Sequence, residues 1–232
     1  MATILECAGL HKSYGSNPAL NGVNLKVEEG GVVGLLGPNG SGKSTLIKLA
    51  MGMLQPTQGS IFINGKAPCP ETKAITAYLP DKDFLQNWMR IEQAVAYSQD
   101  FFADFKREKA EAMLSRLGLG MKQKVKSLSK GNREKLALIL TMARDAKLYI
   151  LDEPIAGVDP AARDFILNTV MANRPEGATI FLCTHLISDI EPILTHAIFL
   201  NRGNIVLDEN VESVKARTGK TLDELFREEF KW

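Results

Sequence analysis

A glycine-rich turn between an apolar strand and a helix constrains this sequence more than any other feature. Segment 32–36 is apolar throughout, which predicts a buried strand, and the apolar spacing from Lys43 to Met51 predicts a helix. The turn between them fits the pattern GxxxxGK(S/T) with Gly37, Pro38, Asn39, Gly40, Ser41, Gly42, Lys43 and Ser44. In this context the pattern predicts a loop that binds the phosphates of a nucleoside triphosphate.

The residue types in this turn suit that chemistry. The glycines let backbone N–H groups converge on phosphate oxygens, and the following helix presents its N-terminus, which attracts anions. We expect Lys43 to bind the β- and γ-phosphates and to act in catalysis, and Ser44 to offer its hydroxyl to Mg²⁺. The next residue, Thr45, is included in the predicted nucleotide-binding set.

A pair of acids follows a second apolar strand. Residues 148–151 predict a buried strand that ends in Asp152 and Glu153. Ligands of α/β proteins bind at the carboxyl ends of parallel strands, so Asp152 is a candidate for the Mg²⁺ shell and Glu153 for polarising the attacking water. Alone, two adjacent acids are also compatible with a solvated strand end. In a chain with a phosphate loop they indicate hydrolysis rather than binding alone.

The remaining patterns predict an α/β protein. Short alternating segments between Ile4 and Val27 are typical of antiparallel strands, and further strands are predicted at 60–64, 75–79 and 179–183. Helical spacings cover 91–117, 131–143 and 161–172, and the C-terminal part is predicted to form a hairpin near 201–204 and one or two helices ending at Trp232. Phe101, Phe102 and Phe105 are expected in the core, with a docking surface as the alternative.

We predict one domain over 1–232. Its fold is expected to be a P-loop NTPase core of mixed sheet with an antiparallel β subdomain and an inserted α-helical subdomain. The nucleotide-binding core, with the antiparallel part, is assigned to 1–84 and 144–232, and the helical subdomain to 85–143.

Composition excludes several classes of protein. The formal net charge of +1 provides no basic excess, so we expect no nucleic-acid partner. Apolar runs such as 31–37 are far shorter than the roughly 18 residues that a membrane span needs, and we expect a soluble chain. Cys7, Cys69 and Cys183 are widely spaced, which argues against a zinc site or a disulfide framework.

Further motifs accompany the phosphate loop and the acidic strand in a defined order along the chain. The segments are 128–132 (Leu-Ser-Lys-Gly-Asn), 154–159 (Pro-Ile-Ala-Gly-Val-Asp), Thr184-His185 and, near the N-terminus, Tyr14. Over almost its whole length the chain resembles a nucleotide-binding domain of an ABC transporter. In that family these positions carry the LSGGQ signature, the D-loop, the switch histidine and the aromatic residue that stacks on adenine.

The resemblance implies a dimer that sandwiches ATP and Mg²⁺. Ser129 and Gly131 would grip a γ-phosphate bound on a second ATPase domain, and Tyr14 would stack on the adenine. His185 would contact the γ-phosphate and the attacking water, which makes Glu153, His185 and Lys43 the predicted catalytic residues. A transmembrane permease subunit would hold the chain at the cytoplasmic face of the membrane and receive the motion. Short chains with this signature resemble the ATPases of two-component exporters for drugs, peptides or bacteriocins.

The sequence departs from the family pattern at two places. Asp81 stands after the strand that ends Tyr-Leu-Pro, where the family usually has Gln, and we expect its carboxylate to reach a Mg²⁺-bound water and to favour metal-loaded nucleotide. Lys130 and Asn132 replace a Gly and the Gln of the signature. Because Ser129 and Gly131 remain, we expect the signature to work; a degenerate site is the alternative.

Two other functions share parts of this pattern. An ABC-type ATPase that acts on ribosomes or DNA is the main alternative, but such proteins usually carry two such domains, coiled coils or basic extensions. A small GTPase or nucleotide kinase would share the phosphate loop, yet the sequence has no NKxD motif, and the signature would have no explanation. The motor subunit of a transporter is therefore the favoured function.

Overall fold

A computed structural model describes residues 2–230 of the chain. The strands are β1 (Thr3–Tyr14), β2 (Asn17–Glu28), β3 (Val32–Leu36), β4 (Gln58–Ile63), β5 (Thr76–Leu79), β6 (Leu148–Asp152), β7 (Thr179–Thr184), β8 (His196–Asn201) and β9 (Asn204–Asn210). The helices are α1 (Lys43–Ala50), α2 (Pro70–Ala74), α3 (Ile91–Phe101), α4 (Arg107–Arg116), α5 (Lys130–Met142), α6 (Pro160–Asn173), α7 (Ile187–Ile190), α8 (Val211–Thr218) and α9 (Leu222–Phe230). The predicted α/β class is confirmed.

The strands form two sheets. A three-stranded antiparallel sheet has the order β2-β1-β4. The alternating N-terminal pattern predicted the antiparallel character of β1 and β2. A six-stranded sheet has the order β5-β6-β7-β3-β8-β9, and its pairings are parallel except between β8 and β9. The mixed sheet and the separate antiparallel sheet of the prediction are therefore both present.

The inner strands β3, β6 and β7 of the six-stranded sheet are buried on both faces. Val33, Leu35 and Ile150 belong to an apolar cluster shared with β1, β2 and α1. Their sequence neighbours Leu36 and Leu151 belong to a second cluster, shared with α3 to α6. Because alternate residues of a strand point to opposite faces, a continuous apolar run is what a sheet covered on both sides requires.

The helix predictions are mostly confirmed, although the short helix α7 was not predicted. The helical stretch predicted at 91–117 is two helices, α3 and α4, separated by the extended Phe102 and a short connection. The short helix α2 was not predicted, and it begins with Pro70 at its first turn. The predicted end of the last helix at Trp232 lies outside the described residues. Within 2–230, no helix combines the length and the apolar character that a bilayer crossing needs.

The expectation that all three phenylalanines lie in the core is wrong for Phe101. Phe105 is buried, and Phe102 is partly buried against the core, whereas Phe101 is 67% exposed. Phe101 is the last residue of α3 and shares its exposed face with Tyr97, whereas the buried stripe of this helix consists of Ile91, Ala94, Val95 and Ser98. Its ring instead stacks on Tyr97, one turn earlier, with 6.0 Å between the ring centroids.

Arg144, just after α5, joins the helical segments to the large sheet. Its guanidinium donates to Asp104 Oδ1 at 2.8 Å and Oδ2 at 3.0 Å, and to the carbonyls of Thr76 and Ala74 at 2.6 Å each. It also lies 4.1 Å from the ring centroid of Phe102. Because Arg144 is only 3% exposed, these partners replace the water that its charge would otherwise require.

Replacing Arg144 by Met is expected to lower the free energy of unfolding by about 3 kcal/mol, because Asp104 and two carbonyls lose a buried cationic partner. Urea unfolding followed by circular dichroism measures this change. The control is Arg107→Met, which removes an exposed ion pair with Glu111 and is expected to cost at most about 0.5 kcal/mol. Equal stability of the Arg144 variant and the unmodified chain would contradict the role of this junction.

Candidate functional site

The loop between β3 and α1 folds around the side chain of Lys43. The Lys43 ammonium donates to the carbonyl oxygens of Gly37 at 2.6 Å and Pro38 at 3.2 Å. Lys43 is buried, and Ser41 beside it is buried as well. The predicted phosphate loop therefore encloses a positive charge that its own carbonyls hold in place.

Two glycines of the loop are required by close contacts of the backbone. A Cβ on Gly37 would lie 2.3 Å from the carbonyl oxygen of Leu200. Gly42 has a φ of 114°, and a Cβ there would lie 2.6 Å from the carbonyl oxygen of Ala19. Gly42 also precedes the first residue of α1, and no side chain of the described residues caps this N-terminus. The free N–H groups of the first turn suit an anion.

Asp152 lies at the carboxyl end of β6 with an oxygen that has no partner. The residue is 4% exposed, and its Oδ1 makes no hydrogen bond to any residue from 2 to 230. Burial raises the pKa of the Asp152 carboxyl, and the charges of Asp81 and Glu153 raise it further, against a lowering by the Cys183 thiol and Lys43. A buried carboxylate oxygen without a donor fits a divalent cation or one of its waters.

Glu153 is the centre of the acidic site. Its Oε1 lies 3.9 Å from the Lys43 ammonium, and Thr184 Oγ1 donates to its Oε2 at 2.9 Å. His185 Nδ1 lies 3.0 Å from Oε1 and 3.1 Å from Oε2. Lys43 and His185 thus both lie beside the Glu153 carboxylate, so the three predicted catalytic residues are brought together.

The backbone of Glu153 is also unusual. Its φ is 51°, in the left-handed region that non-glycine residues seldom adopt, and its N–H donates to the carbonyl of Cys183 at 2.8 Å. This conformation turns the chain sharply after Asp152. It keeps the Glu153 carboxylate beside the loop after β7 rather than in line with its own strand.

Sequence reasoning assigned no role to Thr184. The residue is fully buried at the end of β7, where its hydroxyl donates to Glu153 and accepts from the backbone N–H of Leu186 at 3.1 Å. A polar residue that closes an apolar strand is a weak signal. The pairing of β6 with β7 brings this hydroxyl within hydrogen-bond distance of the Glu153 carboxylate, a contact that the sequence alone does not reveal.

Asp81 follows β5 on the same side of the sheet. Burial raises the pKa of the nearby Tyr78 hydroxyl to about 12, and the charges of Asp152, Cys183 and Asp81 add to the effect. Asp81 is exposed and lines one groove with Ser44 and Asp152. The three predicted metal residues therefore border a common space.

The predicted signature residues lie apart from this cluster. Ser129 caps α5 by accepting a hydrogen bond from the N–H of Asn132 at 3.3 Å, and a Cβ on Gly131 would meet open space. Within the described part of the chain, no hydrogen bond joins Ser129 or Gly131 to the phosphate loop. Lys130 extends toward the D-loop, where its ammonium would lie 3.4 Å from a Cβ on Gly157.

Tyr14 also lies outside the cluster. It is the last residue of β1 and is 48% exposed, so much of its ring is free to stack on a flat ligand. The Lys12 ammonium lies 5.6 Å from the ring centroid and donates to the carbonyl of Gln55 at 2.8 Å.

An apolar groove of about 880 Å³ begins at Ser44, Asp81 and Asp152 and extends to α3. Its lining includes exposed large apolar side chains: Met53, Phe84, Trp88, Tyr97 and Phe101. Trp88 is 69% exposed. Sequence patterns did not identify Met53, Phe84, Trp88 or Tyr97, because a single apolar residue in a loop or on an exposed helix face gives no periodic signal.

Comparison with known proteins agrees with the geometry. A family model described as ABC transporter matches residues 20–156, which is more than half of the 232 residues. The lantibiotic transport ATP-binding protein SrtF of Streptococcus pyogenes is 29% identical, over 96% of this chain and 96% of the relative. The Nod factor export ATP-binding protein I of Rhizobium meliloti is 31% identical, over 89% of this chain and 67% of the relative.

A solved structure has the same fold over its full length. The structure of an ATP-binding subunit of an ABC transporter superposes with a TM-score of 0.87 at 29% identity, covering 97% of this chain and 99% of the other. Fold, motif order and sequence similarity agree. The chain therefore belongs to the ABC transporter family as an ATP-binding subunit, in a family whose members are ATPases.

Proposed function

We propose that this chain hydrolyses ATP as one half of a dimer and drives a separate membrane-spanning subunit of an exporter. The observation that carries the proposal is the convergence of Lys43, Thr184 and His185 on the Glu153 carboxylate beside the phosphate loop. A chain that only bound nucleotide would have no need to fix an acid at this place.

The site residues have distinct roles in the reaction. The backbone N–H groups of segment 37–45 and the Lys43 ammonium bind the phosphates of ATP and withdraw charge from the γ-phosphate. Glu153 orients and polarises the attacking water, and the Thr184 hydroxyl holds that carboxylate in place. His185, on the exposed side of Glu153, donates to the γ-phosphate or to the water.

The donor set fits Mg²⁺. We assign its binding to the hydroxyl of Ser44, the unpartnered carboxylate oxygen of Asp152 and, through a water, Asp81. When bound, the ion neutralises charge on the β- and γ-phosphates. It would also place a positive charge beside the buried Asp152 carboxyl.

The dimer is inferred from the position of the signature. Ser129 and Gly131 lie at the N-terminus of α5, and within residues 2–230 no hydrogen bond joins them to the phosphate loop of their own chain. A helix N-terminus with a serine hydroxyl that can still donate suits a phosphate, so its partner is the γ-phosphate held by a second ATPase domain. The second domain is either another copy or a related chain.

The apolar groove is the proposed docking site for the permease. Exposed Trp88 and Phe101 line the same groove as Asp81, so a helix bound along this groove would extend toward the nucleotide site. We place the chain at the cytoplasmic face of the membrane through this contact. The export direction is supported by the similarity to a Nod factor export protein. The division into subdomains at 84/85 and 143/144 stays a prediction.

The ribosome- or DNA-directed alternative is weaker. A net charge of +1 provides little attraction for phosphate backbones. The names of the two relatives above refer to transport or export, which favours a membrane partner.

Replacing Glu153 by Gln is expected to lower the rate of ATP hydrolysis by about 10²–10⁴-fold, because the water loses its base. ATP binding and ATP-dependent dimerisation are expected to persist, as measured by equilibrium dialysis and light scattering. Glu209→Gln, at an exposed ion pair with Arg217, is the matched control and should hydrolyse normally. Turnover of the Glu153 variant close to that of the control would remove Glu153 from the catalytic role.

Replacing Asp81 by Gln is expected to reduce the preference for metal-loaded nucleotide by up to roughly fivefold, because the exposed carboxylate repels phosphates that lack a cation. The measurement is the ratio of ATP dissociation constants with Mg²⁺ and with EDTA. Asp100→Asn removes a negative charge from an exposed position on α3 and serves as the control. An unchanged ratio in the Asp81 variant would defeat the assignment.

Photo-crosslinking tests the membrane partner. A benzoylphenylalanine in place of Trp88, in the cells that make the protein, is expected to crosslink to a polypeptide with several membrane spans. The same group in place of the exposed Val206 on β9 is expected to give no such product. Crosslinks from position 88 to ribosomal protein or to nucleic acid would instead support the alternative function.

A further inference from the structure

Arg133, in the first turn of α5, is bound to the loop that follows Asp81. Its Nε donates to Asp83 Oδ2 at 2.6 Å and its Nη1 to Asn87 Oδ1 at 2.7 Å. Its Nη2 donates to the carbonyl of Leu85 at 3.0 Å. One guanidinium thus holds a loop that has no regular secondary structure from 81 to 89.

The same arginine is fixed to the signature. The backbone N–H of Arg133 donates to the carbonyl of Ser129 at 3.0 Å, within the first turn of α5. Its Nη1 also donates to the carbonyl of Val125, just before the signature, at 3.2 Å. The side chain is 17% exposed, so these hydrogen bonds are largely shielded from competing water. A displacement of the loop is therefore resisted by the helix turn that carries Ser129.

The loop connects two functional surfaces. Its exposed side chains Phe84 and Trp88 line the apolar groove, and Asp81 at its start borders the nucleotide site. Leu85, between the two aromatic residues, is buried and anchors the middle of the loop. The Arg133 contacts are made to Asp83, Leu85 and Asn87, on either side of Phe84 and just before Trp88.

We propose that Arg133 is a positioning residue that couples the groove to the signature, so that movement of the loop carrying Phe84 and Trp88 reorients Ser129 toward the γ-phosphate of the facing domain. The inference rests on the proposed function, because it needs a dimer that closes on ATP. Coupling of this kind is reciprocal, so ATP-driven closure at Ser129 must also move the loop.

The chemistry of the side chain explains why an arginine is needed. A planar guanidinium has donors fixed in several directions, whereas a lysine ammonium is one point charge on a flexible stem. Lysine could satisfy Asp83 but not, at the same time, Asn87 and the two carbonyls. Arg133→Lys therefore keeps the charge and loses the rigid link.

The experiment uses Trp88 as the reporter of the loop. The sequence has two tryptophans, so Trp232→Phe leaves Trp88 alone, and Glu153→Gln keeps ATP unhydrolysed. In this background, ATP with Mg²⁺ is expected to change the emission of Trp88, while light scattering reports dimerisation. The test variants are Asp83→Asn and Arg133→Lys, and Arg107→Gln, at an exposed ion pair in the helical region, is the control.

The expected result is that both test variants dimerise at saturating ATP but lose most of the ATP-dependent change in Trp88 emission, whereas the control keeps it. Asp83→Asn alters an exposed loop residue, so this arm remains informative if Arg133→Lys folds poorly. A full emission change in a dimeric Asp83→Asn variant overturns the inference. So does a dimeric background protein whose Trp88 does not respond to ATP. Failure of the background protein to dimerise instead contradicts the proposed function itself.

Discussion

The parallel pairing of β6, β7 and β3 is the constraint on which the site depends. Asp152 pairs with Cys183, and Leu36 pairs with Thr184, so the three strands end level with one another. Strand β3 leads into the phosphate loop. Strand β6 ends in Asp152, with Glu153 next, and β7 is followed by His185. A slip of one residue would turn the apolar side chains of a strand to the wrong faces, and burial on both sides of the sheet opposes it. The core thus determines the geometry of the catalytic residues.

Much of the site was predictable because its residues carry strong local signals. The phosphate loop is continuous in sequence, and its glycines, Lys43 and Ser44 follow from what a phosphate needs. Asp152 and Glu153 were predictable because an apolar strand that ends in acids is unusual. The convergence of Lys43 and His185 on Glu153 confirmed that these segments meet, whereas the individual roles in ATP hydrolysis stay proposals.

Other features depend on contacts that no local pattern encodes. Thr184 orients Glu153 across two strands, and Arg133 meets Asp83 from 50 residues away in sequence. Phe101 was expected in the core because it is apolar and helical, but it lies on the exposed face of α3 rather than in the buried stripe. The groove was missed for a related reason. It is made of single apolar residues from two loops, from β5 and from helices α3 and α5, and it exists only once the chain has folded.

The distance between the signature and the phosphate loop within one chain has a kinetic consequence. If each complete site takes its loop from one copy and its Ser129 from another, two like copies related by a twofold axis build two equal sites or none. Free in dilute solution, such a chain would show a specific activity that rises with protein concentration. Held side by side on one membrane complex, the two copies meet at a high effective concentration, and the rate no longer depends on how many molecules are present.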